Sequence, residues 1–103
     1  MTYKLIISER AEEHINNIVG YVAVELANPA AAKAILSDIE KAYGKLEYMA
    51  ESLAFCQDFY LQQKGYRKYM LENHNYVILY KVEGDEIRIS GVFHMREDYS
   101  SKL

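Results

Sequence analysis

Tyr76-Val77-Ile78-Leu79-Tyr80-Lys81-Val82 is the stretch that decides the fold. It is apolar on both faces, the pattern of a central strand that is covered on both sides. Glu83-Gly84-Asp85-Glu86 follows with the glycine of a hairpin turn. Ile87-Arg88-Ile89-Ser90-Gly91-Val92-Phe93 then reads as the returning strand. Upstream, Glu72-Asn73-His74-Asn75 is turn chemistry, and Tyr66-Arg67-Lys68-Tyr69-Met70-Leu71 reads as another strand of period two. Three strands joined by turns this short run antiparallel.

Before residue 51 the period is different. Thr2 to Ile7 reads as a short strand, with Tyr3, Leu5 and Ile7 on one face and Ile6 on the other. Ser8 offers an N-cap hydroxyl, and Glu9 complements the positive end of a helix dipole. Ala11, Ile15, Ile18, Val22 and Leu26 step by three or four, which predicts a one-faced helix over roughly 9–27. Asn28 is the next N-cap and Pro29 the first helical residue, where a missing N–H costs nothing. Ala32, Ile35, Ile39, Ala42, Leu46 and Met49 continue the helical step to about residue 50. The stretch 51–64 is the least patterned and reads as loop with a strand fragment or a short turn of helix. The tail from His94 to Leu103 is polar and aperiodic. The order strand, helix, helix, three strands predicts an α+β fold: an N-terminal β-strand, a two-helix hairpin over one sheet face, and three antiparallel strands, forming a small four-stranded sheet.

Length allows no more than this. At 103 residues, with half of them hydrophobic and 26% charged, the chain fits a single domain over 1–103 with one core. One cysteine, Cys56, rules out an intramolecular disulfide and a thiolate cage, and fits a reducing, cytoplasmic setting. The three histidines lack close ligand spacing, so neither a metal nor a cofactor is expected. No apolar run nears the length of a membrane span, and the N-terminal apolar stretch is too short for a signal peptide. The net charge of −3 lacks the basic excess of a dedicated nucleic-acid binder. Residues 1–63 carry 5 Lys/Arg and 9 Asp/Glu, whereas residues 64–103 carry 7 and 6, so basic groups gather toward the C-terminus.

Several strings together resemble the RelE/ParE superfamily, the toxin halves of bacterial type II toxin–antitoxin modules. They are Tyr66-Arg67-Lys68-Tyr69, then Asn75 to Val82, then Ile87-Arg88-Ile89-Ser90-Gly91-Val92-Phe93-His94-Met95-Arg96-Glu97-Asp98-Tyr99. The family writes an arginine on the second strand, a Tyr-x-Ile/Val-x-Tyr-x-Val strand and a Phe-His-x-Arg-x-Asp close. Tyr3 to Ala11 also resembles its first strand and helix start. The resemblance implies a cognate antitoxin that silences the toxin. It leaves two modes open. ParE-like members are taken to block DNA gyrase; RelE-like members cut mRNA on the ribosome as metal-independent endoribonucleases. A third reading is a non-toxic interaction domain.

Metal-free RNA cleavage needs a base for the 2′-hydroxyl, cations for the phosphate and an acid for the leaving oxygen. The candidate site residues are Arg67, His94, Arg96 and Tyr99, with Lys68 beside Arg67. Histidine is the side chain suited to proton traffic near neutrality, and arginine offers phosphate a planar donor fork. If the strands are ordered as in the family, Arg67, His94 and Arg96 converge on one end or face of the sheet. Each residue also has a plainer reading: His94 as a surface histidine, Arg96 in a local ion cluster with Glu97 and Asp98, and Tyr99 as an anchor for the tail. Arg67 and Lys68, adjacent in a strand, point to opposite faces. RelE-like nucleases tend to carry an arginine where this chain has Val77, and a lysine where it has Tyr69. These departures, with the net charge of −3, tip the expectation toward a ParE-like, protein-binding mode. Six of the ten tyrosines lie between Tyr60 and Tyr99. Tyrosine is enriched where one protein grips another; Tyr76 and Tyr80 read as core, and the core reading is weaker for Tyr60, Tyr66 and Tyr69.

Overall fold

The central strand lies where its apolar run predicts. A computed structural model describes residues 3–103; Thr2, the first residue of the expected N-terminal strand, lies outside them. Strand β1 (Lys4–Ile7) leads into helix α1 (Glu9–Gly20). Helix α2 (Pro29–Met49) follows, then the short helix α3 (Phe59–Gln63). Strands β2 (Arg67–Met70), β3 (Tyr76–Glu83) and β4 (Glu86–His94) complete one four-stranded sheet in the order β1-β4-β3-β2. The last three strands are antiparallel, and β1 adds to β4 in parallel.

The caps form as their side chains dictate. Ser8 Oγ accepts from the Ala11 N–H at 3.1 Å, and Asn28 Oδ1 from the Ala31 N–H at 3.1 Å. The first helix departs from one regular run over 9–27. After Gly20 it widens into a π-helical turn, Tyr21–Glu25, closed by the Leu26 N–H to the Tyr21 carbonyl at 3.1 Å. Ala27, at φ 49°, reverses the chain, the only non-glycine residue of positive φ among the described residues.

Ala11, Ile35, Ile39, Ala42 and Leu46 from the helical pair bury Ile78, Tyr80, Ile87, Ile89 and Val92 on one sheet face. The other face has its own smaller core of Cys56, Leu61, Val77, Leu79 and Phe93, with Tyr66, Tyr99 and Leu103 packed on it. The unpatterned stretch therefore holds both features expected of it: Phe55 bridges Arg67 as a strand fragment, and α3 is the turn of helix. The tail is less irregular than its composition suggests, because Tyr99–Lys102 winds into a 3-10 turn.

A bulge interrupts β4. Leu79 pairs with Gly91 but Tyr80 with Ile89, so Ser90 is an extra residue and the alternation of faces shifts there. Beyond the end of β1, the outer backbone of β4 bonds to α1 and its cap. The Ser8 N–H donates to the Ile89 carbonyl at 3.1 Å, and the Val92 N–H donates to His14 Nδ1 at 3.2 Å.

Candidate functional site

Where β4 ends, the tail folds back across the sheet. The Met95 N–H donates to the Asn75 carbonyl at 3.0 Å, and the Glu97 N–H to the His94 carbonyl at 3.0 Å. The Glu97 carboxylate accepts from Lys102 Nζ at 2.7 Å and from the His94 N–H at 3.0 Å. These two donors, Lys102 foremost, hold its carboxyl below the usual range despite some burial.

Two of the expected site residues meet at this corner. His94 Nδ1 accepts from the Arg96 N–H at 3.2 Å, and its ring meets Tyr76 edge-on, with centroids 5.5 Å apart. Arg96 is exposed, and no described side chain pairs with its guanidinium. With Asn75 and Met95 they line an open cleft of about 310 Å³. Met95 also lines a neighbouring cleft of about 270 Å³, shared with Tyr99, Asp58 and Asp98.

Tyr99 stands on the other side of the sheet from His94. It stacks on Phe93, 5.9 Å between centroids, and burial pushes its hydroxyl pKa up. Phe93 belongs to the smaller core, while His94, opposite Tyr76, turns toward the helical side.

Arg67 does not converge with them. It lies opposite Tyr80, four positions along β3 from the Tyr76 that faces His94, a separation of roughly 13 Å along the strand. Its guanidinium donates to the carbonyls of Leu53 and, at 3.3 Å, Glu51, and covers the Phe55 ring at 3.9 Å. It fastens the 51–55 segment to the edge strand. Val77, where nucleases of the superfamily tend to carry arginine, is 2% exposed in the smaller core. Tyr69 is buried beneath the helices, so Lys68 and Met70 are the β2 residues on the side opposite them. The described residues thus bring one histidine and one arginine together at the corner, beside a Glu97 carboxylate already engaged by the His94 N–H and by Lys102.

Two polar groups carry structural work that the sequence reading left unassigned. Asp38, buried in α2, accepts from the Asn73 N–H at 3.0 Å and contacts His74 Nδ1 at 2.9 Å. Burial opposes its charge, yet the bonds from His74 and Asn73 prevail and draw its pKa down. The signal was present: Asp38 falls three residues after Ile35 and four before Ala42, on the apolar stripe. His14 likewise lies on the apolar stripe of α1, between Ala11 and Ile18. Its pKa is lowered, chiefly by desolvation and then by Arg10. Its role depended on the β4 edge, which no local pattern reveals. Among the described residues, no cluster of His, Cys, Asp or Glu is arranged to hold a metal ion, and no helix is long and apolar enough to cross a membrane.

A family model described as the ParE toxin of the type II toxin-antitoxin system parDE matches residues 5–99. A solved structure of the chromosomal ParDE TA system from P. aeruginosa is similar, with TM-score 0.74 and 22% identity over 90% of this chain and 96% of that one. At that identity the likeness concerns the fold. No curated protein matches the chain in sequence.

Proposed function

Because the chain belongs to the ParE toxin family of type II toxin–antitoxin systems, we propose that it acts by gripping a protein target, DNA gyrase foremost, and that a cognate antitoxin masks it. The observation that carries the target-binding reading is the engagement of Arg67. A guanidinium bonded to two backbone carbonyls and stacked on Phe55 is withdrawn from phosphate chemistry. Buried Val77 supplies no replacement. The ParDE complex similar in fold supports the antitoxin partner. The cytoplasm is the compartment in which such a target would be met.

The exposed corner of His94, Met95 and Arg96 is the contact surface in this reading. Arginine is over-represented among the residues that dominate protein interfaces. Purified protein added to gyrase should inhibit supercoiling, and Arg96→Ala should weaken inhibition roughly tenfold, the size of a modest interface hot spot. Mapping transcript 5′ ends after induction should show no new codon-associated cuts. Such cuts, with supercoiling untouched, would favour the RelE-like alternative of a metal-independent, ribosome-associated endoribonuclease. Soluble expression without growth arrest would favour a non-toxic interaction domain.

A further inference from the structure

The smaller core covers only one end of the sheet face opposite the helices. At the other end the registers Ile6↔Arg88 and Arg88↔Lys81 form a row across three strands, and Tyr66 extends it on the β2 side. Lys68 follows in the adjoining row beside Leu79, Lys4 lies opposite Glu86 at the far edge, and Lys64 stands at the margin above Tyr60. Five cations therefore share this side of the sheet with Glu83, Glu86 and Asp85 of the turn and with Asp58 beside Cys56, a small local excess of positive charge on a chain whose net charge is −3. Neighbouring strands put such groups ~5 Å apart.

We infer that this open sheet face docks an acidic segment of a protein partner. The setting of the cations favours carboxylates over a nucleic-acid strand, because a chain of net charge −3 lacks the basic excess of a nucleic-acid binder. Arg88, the one guanidinium in the row, is engaged by Glu83 at 3.1 Å and Glu86 at 2.8 Å. The remaining cations are lysines, point charges that single carboxylates can satisfy. The tyrosine rings that could stack bases are partly occupied, with Lys81 Nζ 4.5 Å from the Tyr66 centroid and Lys64 Nζ 4.3 Å from that of Tyr60. Ile6 and Tyr66 give a bound segment apolar surface between the charges. The inference stands apart from the identity of the toxin's target, because it uses neither His94 nor Arg96.

Titrating isotope-labelled protein with octaglutamate at low salt, followed by backbone amide NMR, tests it. Shifts should concentrate on residues 66–68, 81 and 86–88 and fade in high salt. Lys68→Gln with Lys81→Gln should weaken binding roughly tenfold while the rest of the spectrum stays in place. No binding, or shifts centred on the helices or the C-terminal corner, overturns the inference. An oligothymidylate of equal charge binding this face more tightly than octaglutamate also overturns it, in favour of a nucleic-acid strand.

Discussion

Two tyrosines show how much a single hydroxyl depends on its surroundings. Tyr80 is fully buried in the helix-side core, and its hydroxyl donates to the Ala50 carbonyl at 2.7 Å. Tyr43 also has a buried hydroxyl, but no described group partners it, and desolvation pushes its pKa up to about 12. Tyr80→Phe should cost about 1–2 kcal/mol because it orphans a buried carbonyl, while Tyr43→Phe should be neutral or stabilising. Urea unfolding of the two variants makes the comparison. Asp38 adds a pH dependence at the same scale. Its folded-state pKa lies below the ordinary 3.8, so its stabilisation is present above that value and is lost as pH falls through the lowered one. The wild type should lose stability below about pH 4 more steeply than Asp38→Asn, measured by denaturant midpoints across pH.

The β4 edge links sequence to structure one scale up. Gly91 is needed there for space: a Cβ would stand 2.7 Å from Phe93 Cε2 and 3.1 Å from His14 Nδ1. Both neighbours sit in packed surroundings, so Gly91→Ala should cost about 1–3 kcal/mol, read as a fall in the thermal midpoint. His14 must stay neutral to accept from the Val92 N–H. Its lowered pKa means that its contribution is complete above 6.5 and is lost as pH falls from there through the folded-state value. His14→Gln should therefore flatten the stability profile just below pH 6.5, a window well separated from that of Asp38. The bulge at Ser90 explains why the edge was hard to anticipate. Ile87 to Phe93 was legible as a strand from its apolar content, but one added residue exchanges the faces halfway along, and that residue is defined only by pairing with β3.

At the scale of the whole molecule, stability and function separate at the C-terminal corner. Tyr99 and Leu103 close the smaller core, whereas Arg96 faces solvent. Tyr99→Ala should destabilise by about 1–3 kcal/mol through lost packing on Phe93, and Arg96→Ala should stay within about 0.5 kcal/mol of the wild type. Calorimetry of both, set beside their growth-inhibition phenotypes, distinguishes a contact residue from an anchor. If Tyr99→Ala keeps the wild-type midpoint, packing on Phe93 does not support the tail.

The sequence by itself determined the element order, the caps at Ser8 and Asn28, the helical pair, the two-faced central strand and the family, because each rests on local periodicity or on ordered strings. Tertiary structure decided which candidate residues could act together. Sheet register put Arg67 four positions from His94 along β3 and gave its guanidinium to Glu51 and Leu53. It placed Tyr99 and His94 on opposite faces, and it set Arg88, Lys81 and Tyr66 in a row. Period-two patterning specifies which residues share a face of one strand; which strand lies alongside, and at what offset, follows only from packing the whole sheet.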